Sequence, residues 1–316
     1  MKDFEYVAPR SLREAVALLA EPGVPSRAMA GGTDLLVQLR AGRFSLDRVV
    51  DIKSIPELVE LDFGPRRGLR VGAAVTCRRF YTDPQVSARY PGLTDAAAII
   101  GGIQIQGRAS LGGNLCNAAP SGDSIPALMV HGATALIAGP AGRRSLPVAQ
   151  FCRGPGQNAL AAGELLVALA VPPPRRHTGA HYLRFIPRRE MDIAVVGVGA
   201  HVELVDRGRA FGRVSLALGA VAPTPVLAEE AAAWLAGKPV DDASIAGAAE
   251  LAKQAARPIS DMRGPAAFRV HLVGVLAQRA LAGAVMRARG GTVLNAVQEA
   301  TAQGTVPPVQ RPAAAG

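Results

Sequence analysis

The chain has 316 residues and is 49% hydrophobic, which suffices for two domains, each with a core of its own. Its 35 glycines and 24 prolines are dispersed without a period, which excludes collagen-like and wholly disordered chains. The net charge of +10 falls in isolated pairs (Arg66-Arg67, Arg78-Arg79, Arg143-Arg144, Arg175-Arg176, Arg188-Arg189) with no interleaved aromatic series, so a single-strand nucleic-acid binder is not expected.

Residues 11–20 read as a helix: Ser11 caps it, Glu14 completes a capping box, and Leu12, Ala15, Val16 and Leu19 share one face. Glu21-Pro22-Gly23 breaks it. The apolar run Ala28-Met29-Ala30 ends in a glycine pair. A second helix starts at Thr33 or Asp34, and 48–52 is a strand. This order is an α/β unit with a glycine turn at a strand end. Further on, 69–75 reads as a strand, 96–100 as helical and 109–117 as a glycine-rich loop. A short apolar helix follows over 126–131, and strands over 134–138 and 165–171. Pro172-Pro173-Pro174 with Arg175 and Arg176 is the linker candidate. Beyond it lie strands at 194–205 and 213–220, joined by Asp206-Arg207-Gly208. Helices near 229–235, 242–256 and 266–281 come next, and a disordered end from Val306 is expected. The start carries no apolar signal region and no stretch reads as a membrane span, which points to a soluble cytoplasmic chain.

Two segments carry the chemistry. In Ala30-Gly31-Gly32-Thr33-Asp34-Leu35, paired glycines between strand and helix permit a sharp turn and close backbone approach. Successive amides there can form an anion nest. The same pattern also suits a plain strand–helix turn capped by Thr33 or Asp34. The second segment, residues 109–124, contains Ser110-Leu111-Gly112-Gly113-Asn114, then Asn117 and Asp123. It gathers hydroxyls, amides, a glycine pair and one carboxylate between apolar stretches. Asp123 either accepts from sugar-type hydroxyls of a ligand or caps the following helix. Cys116 reads as packing. The three cysteines, Cys77, Cys116 and Cys152, have no Cys-x-x-Cys spacing, so the chain builds no iron–sulfur cluster or zinc ribbon of its own. No metal ligands and no catalytic acid or base are assigned.

Two anion-type segments about 80 residues apart fit a ligand with two phosphates and a long polar linker. The ordered motifs add to this: Ala30 to Leu35; Gln104-Ile105-Gln106-Gly107-Arg108 running into Ser110 to Asn114; Pro120 to Asp123; Gly163-Glu164-Leu165-Leu166; Arg184 to Ala194; Leu218-Gly219-Ala220 to Pro225; and Pro258 to Gly264. Together they resemble the FAD-binding (medium) subunit of molybdenum hydroxylases, the xanthine dehydrogenase and aerobic carbon monoxide dehydrogenase family. The resemblance covers about residues 1–285.

That resemblance implies an α+β fold: a two-subdomain FAD-binding domain of the vanillyl-alcohol-oxidase-like (PCMH) type over 1–176, then a small α/β C-terminal domain over 177–285. Residues 286–316 would be a helix end and tail. It implies that Ala30, Gly31, Gly32, Thr33, Asp34 and Leu35, with Ser110, Leu111, Gly112, Gly113 and Asn114, hold the pyrophosphate of FAD. Asn117 and Asp123 would contact the flavin-side hydroxyls, and Leu166 would pack near the ring. Arg184 falls where the family often has lysine beside the flavin. Basic groups there would favour the anionic reduced flavin. The implied partners are a small subunit with two iron–sulfur clusters and a large molybdopterin subunit, as a dimer of heterotrimers, with an external electron acceptor. A stand-alone flavin oxidoreductase of the same fold is the alternative, and would need a proton-transfer group of its own. None of the five histidines lies in a glycine segment.

Overall fold

The computed structural model describes residues 2–188 and 191–294. Arg189 of the Arg188-Arg189 pair and the segment from Val306 lie outside the described residues.

The first lobe is a parallel sheet of β1 (Glu5–Val7), β2 (Ser26–Met29) and β3 (Arg48–Asp51), in the order β1-β3-β2, with α1 (Leu12–Leu19), α2 (Leu35–Arg40) and α3 (Pro56–Val59). Ser11 caps α1 as expected, its hydroxyl accepting from Glu14 N at 3.2 Å. Leu12, Ala15, Val50, Ile52 and Ile55 form the core between helix and sheet.

The second lobe is an antiparallel sheet of β4 (Leu61–Gly64), β5 (Gly68–Gly72), β6 (Thr134–Gly139), β7 (Gly142–Pro147) and β10 (Leu165–Val171), in the order β4-β5-β10-β6-β7. A small ribbon, β8 (Cys152–Gly154) with β9 (Gln157–Asn158), lies between β7 and β10 in the chain. The helices are α4 (Cys77–Thr82), α5 (Pro84–Arg89), α6 (Pro91–Ala97), α7 (Leu111–Asn117) and α8 (Ser124–Val130). The central strand β10 is apolar on both faces because both are covered. Leu165 and Val167 enter the first lobe's core, and Leu166 and Leu169 the core shared with the helices.

The third unit is an antiparallel sheet of β11 (Thr178–Phe185), β12 (Val196–Val205), β13 (Ala210–Gly219) and β14 (Val226–Leu227), with α9 (Glu229–Leu235), α10 (Asp242–Ala255) and α11 (Ala266–Ala288). Strand β11 was not anticipated. It follows the proline run, and four consecutive residues from Gly179 to Tyr182 are buried, so it lacks the alternation that marks a half-exposed strand. Helix α11 is 23 residues long, two turns beyond the expected end, and apolar enough to cross a membrane by length and composition. It instead packs on β11, β12 and α10, with Val273, Ala277, Ala280, Leu281 and Ala284 fully buried, so its apolar character is that of a core helix.

The sheet's other face packs on α6 and α8 of the second lobe. Glycines make the approach possible: a Cβ at Gly199 would stand 3.0 Å from Pro126 O, and one at Gly92 would meet Ala180. Pro172-Pro173-Pro174 is therefore no spacer between separate bodies. Tyr90 Oη donates to Pro172 O at 3.0 Å, which holds the crossing against the second lobe.

Candidate functional site

The first glycine segment connects β2 to α2. Gly32 has φ +75°, a left-handed conformation that glycine adopts without strain. Among the described residues, the amides of Gly31, Gly32, Thr33, Asp34 and Leu35 donate to no protein acceptor; the ladder resumes with Leu36 N to Gly32 O at 3.2 Å. Five successive free donors in a partly exposed turn are a backbone arrangement able to hold an anion. Asp34 stands at the cap position of α2, but its side chain makes no capping bond. Thr33 makes none either among the described residues, so the capping alternative does not account for these residues.

Gly31 has a different role from the one the sequence suggests. A Cβ there would run into the carbonyl of Arg108. Gly31 thus lets the first segment lie directly on the second, and Arg108 Nε reaches Gly31 O at 3.4 Å.

The second segment is not the loop expected over 109–117. Residues from Leu111 onward form helix α7. Two glycines disfavour a helix, but Ser110 offsets this by capping: its hydroxyl accepts from Gly113 N at 3.0 Å. Gly112 also packs against Ala73, where a Cβ would meet backbone at 2.5 Å. Gly113 faces open space, with only the Ser110 hydroxyl near a would-be Cβ. Asn114 Oδ1 accepts from Ser124 N at 3.2 Å and Ser124 Oγ at 2.6 Å, which folds the polar stretch 118–123 back on α7. Asn117 Oδ1 accepts from Gln38 Nε2 at 2.8 Å and so joins α7 to α2. These contacts bring the two glycine segments side by side.

Asp123 does not cap α8. Its Oδ1 accepts from Tyr182 Oη at 2.9 Å and its Oδ2 from Arg184 Nη1 at 2.6 Å, both residues belonging to β11. Both oxygens are thus engaged by protein, so Asp123 is an orienting ion-pair partner rather than a free acceptor for ligand hydroxyls. Burial pushes its carboxyl up to about 6, with Arg184 and Tyr182 pulling it back down. Arg184, at 7% side-chain exposure, has its charge matched by Asp123, so it is not the uncompensated cation the sequence suggested. Leu166 is 1% exposed and enclosed in the core with Leu111 and Leu115, which leaves it no free face for a ring. Sequence patterning does not single out Tyr182. Its signal was the i, i+2 spacing to Arg184, legible only once β11 is known to be a strand.

The histidines lie elsewhere. His181 Nδ1 is 2.6 Å from Asp95 Oδ2, and His131 meets His201 edge-on with ring centroids 5.4 Å apart. The latter two line a cavity of about 810 Å³ at the junction of second lobe and third sheet, with Tyr90, Glu203 and Arg213. Burial pushes the Cys77 and Cys116 thiols up to about 12 and that of Cys152 to about 11, which keeps all three protonated and unreactive.

Residues 2–174 match the family model described as the FAD binding domain in molybdopterin dehydrogenase, and residues 181–284 match the CO dehydrogenase flavoprotein C-terminal domain. The chain is 34% identical to the xanthine dehydrogenase FAD-binding subunit of Escherichia coli O157:H7 over 292 residues, covering 92% of this chain and 99% of that protein. It is 32% identical to the carbon monoxide dehydrogenase medium chain of Hydrogenophaga pseudoflava, covering 90% and 98%. Among solved structures, a chain of the reconstituted CO dehydrogenase from Oligotropha carboxidovorans superimposes with a TM-score of 0.86 at 29% identity, covering 90% and 99%. A chain of quinoline 2-oxidoreductase from Pseudomonas putida 86 does so with 0.84 at 33%, covering 92% and 100%.

Proposed function

The chain belongs to the family of FAD-binding subunits of molybdopterin dehydrogenases, and from that premise we propose that it is the electron outlet of a multi-subunit molybdenum hydroxylase. FAD is its cofactor, and the class is oxidoreductase. The observation that carries the site is the run of free amides from Gly31 to Leu35 lying against the Ser110-capped start of α7. That donor set suits a pyrophosphate, and the open side of Gly113 is room that a Cβ would fill.

On this reading Ala30 to Leu35 and Ser110 to Asn114 grip the pyrophosphate with backbone amides, so no cationic side chain is needed there. Asn117 fixes the distance between the two grips through Gln38. Asp123 and Arg184 border the flavin end as a mutually neutralised pair, while Leu166 supports α7 from within the core. FAD held there would supply the electron-transfer chemistry that none of these side chains can provide. The protein contributes placement and electrostatics.

The electrons come from a partner that carries two iron–sulfur clusters, itself supplied by a molybdopterin subunit, the assembly being a dimer of heterotrimers in the cytoplasm. The first two lobes, 1–176, form a PCMH-type FAD domain, 177–285 the C-terminal domain, and 286–316 the remainder. A stand-alone flavin oxidase would need a proton-transfer group at the flavin. His131, His181 and His201 instead face the domain junction. Co-purification from the native host tests the reading. Flavin and iron–sulfur absorbance should travel together with three polypeptides. A yellow single chain that oxidises a small substrate unaided would refute it.

A further inference from the structure

The C-terminal sheet does more than cover the second lobe, because it delivers two side chains to one buried carboxylate. Tyr182 and Arg184 project from the same face of β11 and take one oxygen each of Asp123. All three side chains are nearly or wholly enclosed. Space for the phenol is built into the neighbouring strand: Gly197 of β12 pairs with Arg184 in register, and a Cβ at Gly197 would strike Tyr182 Oη. Tyr182 is anchored at its other end by its own amide, which donates to Asp95 Oδ2 at 3.1 Å. Burial and the adjacent carboxylate hold the phenol well above its usual titration range, so it remains a donor.

We infer that Tyr182 is a positioning residue of the flavin site: its hydroxyl keeps Asp123 ionised and turned to Arg184, and thereby sets the charge that the C-terminal sheet presents to the cofactor. The inference rests on the reading that Asp123 and Arg184 border the flavin. A buried carboxylate that loses one of two donors binds a proton more readily. Once Asp123 is neutral, the Arg184 cation is uncompensated and favours the negatively charged, reduced cofactor. An added unit charge at a partly buried site changes such an equilibrium by about tenfold.

The test is a redox titration of the full chain with bound FAD at pH 7 against a reference dye. It compares wild type, Tyr182→Phe, Asp123→Asn and the double variant. Tyr182→Phe should retain stoichiometric FAD and raise the reduced-to-oxidised ratio at fixed poise several-fold, toward the limit of about tenfold for a fully neutral Asp123. Asp123→Asn should raise it at least as far, and the double variant should match Asp123→Asn alone, because Tyr182 acts only through that carboxylate. A ratio unchanged by Tyr182→Phe, or a shift of equal size in both backgrounds, overturns the inference while leaving FAD binding intact. If Asp123→Asn does not fold, Gly197→Ala carries the test. It displaces the phenol without removing it and should shift the ratio in the same direction, and no shift there overturns the inference. A wild-type chain that holds no FAD would remove the parent reading and this one with it.

Discussion

Asp95 and Arg287, 192 residues apart in sequence, form a two-pronged ion pair: Nη1 lies 2.6 Å from Oδ2 and Nη2 lies 2.9 Å from Oδ1. It joins α6 of the second lobe to the last turns of α11. The same guanidinium donates to Ala180 O at 2.7 Å and Val293 O at 2.6 Å, and His181 closes the cluster on Asp95. Both partners are almost fully enclosed, at 4% and 7% side-chain exposure. Helix α11 therefore runs two turns past its expected end for a reason: Arg287 sits in that extension.

Removing one member of this pair should be costly. Arg287→Leu leaves the Asp95 carboxylate buried with fewer donors, a defect worth about 3–5 kcal/mol. Urea unfolding should show a lower midpoint, and Arg287→Lys should recover little, since one ammonium cannot make two parallel bonds. A midpoint within error of wild type for Arg287→Leu would show that the junction does not rely on this cluster.

Gly32→Val and Gly113→Val should each abolish FAD retention, by different routes. Gly32 has φ +75°, so a branched residue distorts the run of free amides itself, at a backbone cost of about 1–2 kcal/mol or more. At Gly113 a Cβ would meet only the Ser110 hydroxyl, at 3.0 Å, and the rest of the added side chain occupies the space proposed for the cofactor. Gly113→Val is thus the sharper probe: a smaller loss of thermal stability than in Gly32→Val, with colourless protein, is expected. Visible flavin absorbance retained at about one flavin per chain would exclude this placement.

The sequence exposes most of this architecture but assigns some of its parts to the wrong task. The Ser11 cap, the strand of 165–171 and the Asp206-Arg207-Gly208 turn are local signals, and they appear where they are expected. The sequence marks Gly31 and Gly112 as openings for a ligand, yet they face Arg108 and Ala73. A glycine's need for space is the same whether a ligand or a backbone fills it, and only the fold tells the two apart. Gly163 and Glu164 of the ordered motifs likewise have structural roles: Glu164 takes both prongs of Arg144 at 2.6 Å. Asp123 shows the reverse limit. Its partners lie 59 and 61 positions away on a strand with no alternation, so no local pattern could reveal that its charge is already matched.

That matching changes what Asp123→Ala should do. A free acceptor would lose ligand affinity alone, by about 1.5–3 kcal/mol for one charge-assisted hydrogen bond. A partner of buried Arg184 should also lose fold stability, by about 3–5 kcal/mol, because a cation is stranded. Both FAD affinity and the apo-protein's unfolding midpoint should therefore fall. A loss of FAD affinity with unchanged apo stability would mean that Asp123 serves the ligand rather than Arg184.

His131 should make the fold sensitive to acid. Its Nδ1 is 2.8 Å from Ala127 O, which places the ring proton on Nδ1. Burial, with His201 alongside, pushes it down from 6.5 to about 3. The unfolded chain therefore binds a proton between these values that the folded chain refuses. The stability is fully present above pH 6.5 and is lost as pH falls toward 3, by about 1.4 kcal/mol per pH unit for that one proton. His201 is held low by burial in the same way and adds to this slope. Asp123, raised to about 6, acts in the opposite direction, losing stability as pH rises through that value. Comparing wild type with His131→Gln cancels both contributions. The difference in unfolding free energy between the two chains should be flat above pH 6.5 and shrink or change sign on acidification. Parallel pH profiles would show that His131 accepts its proton in the folded state.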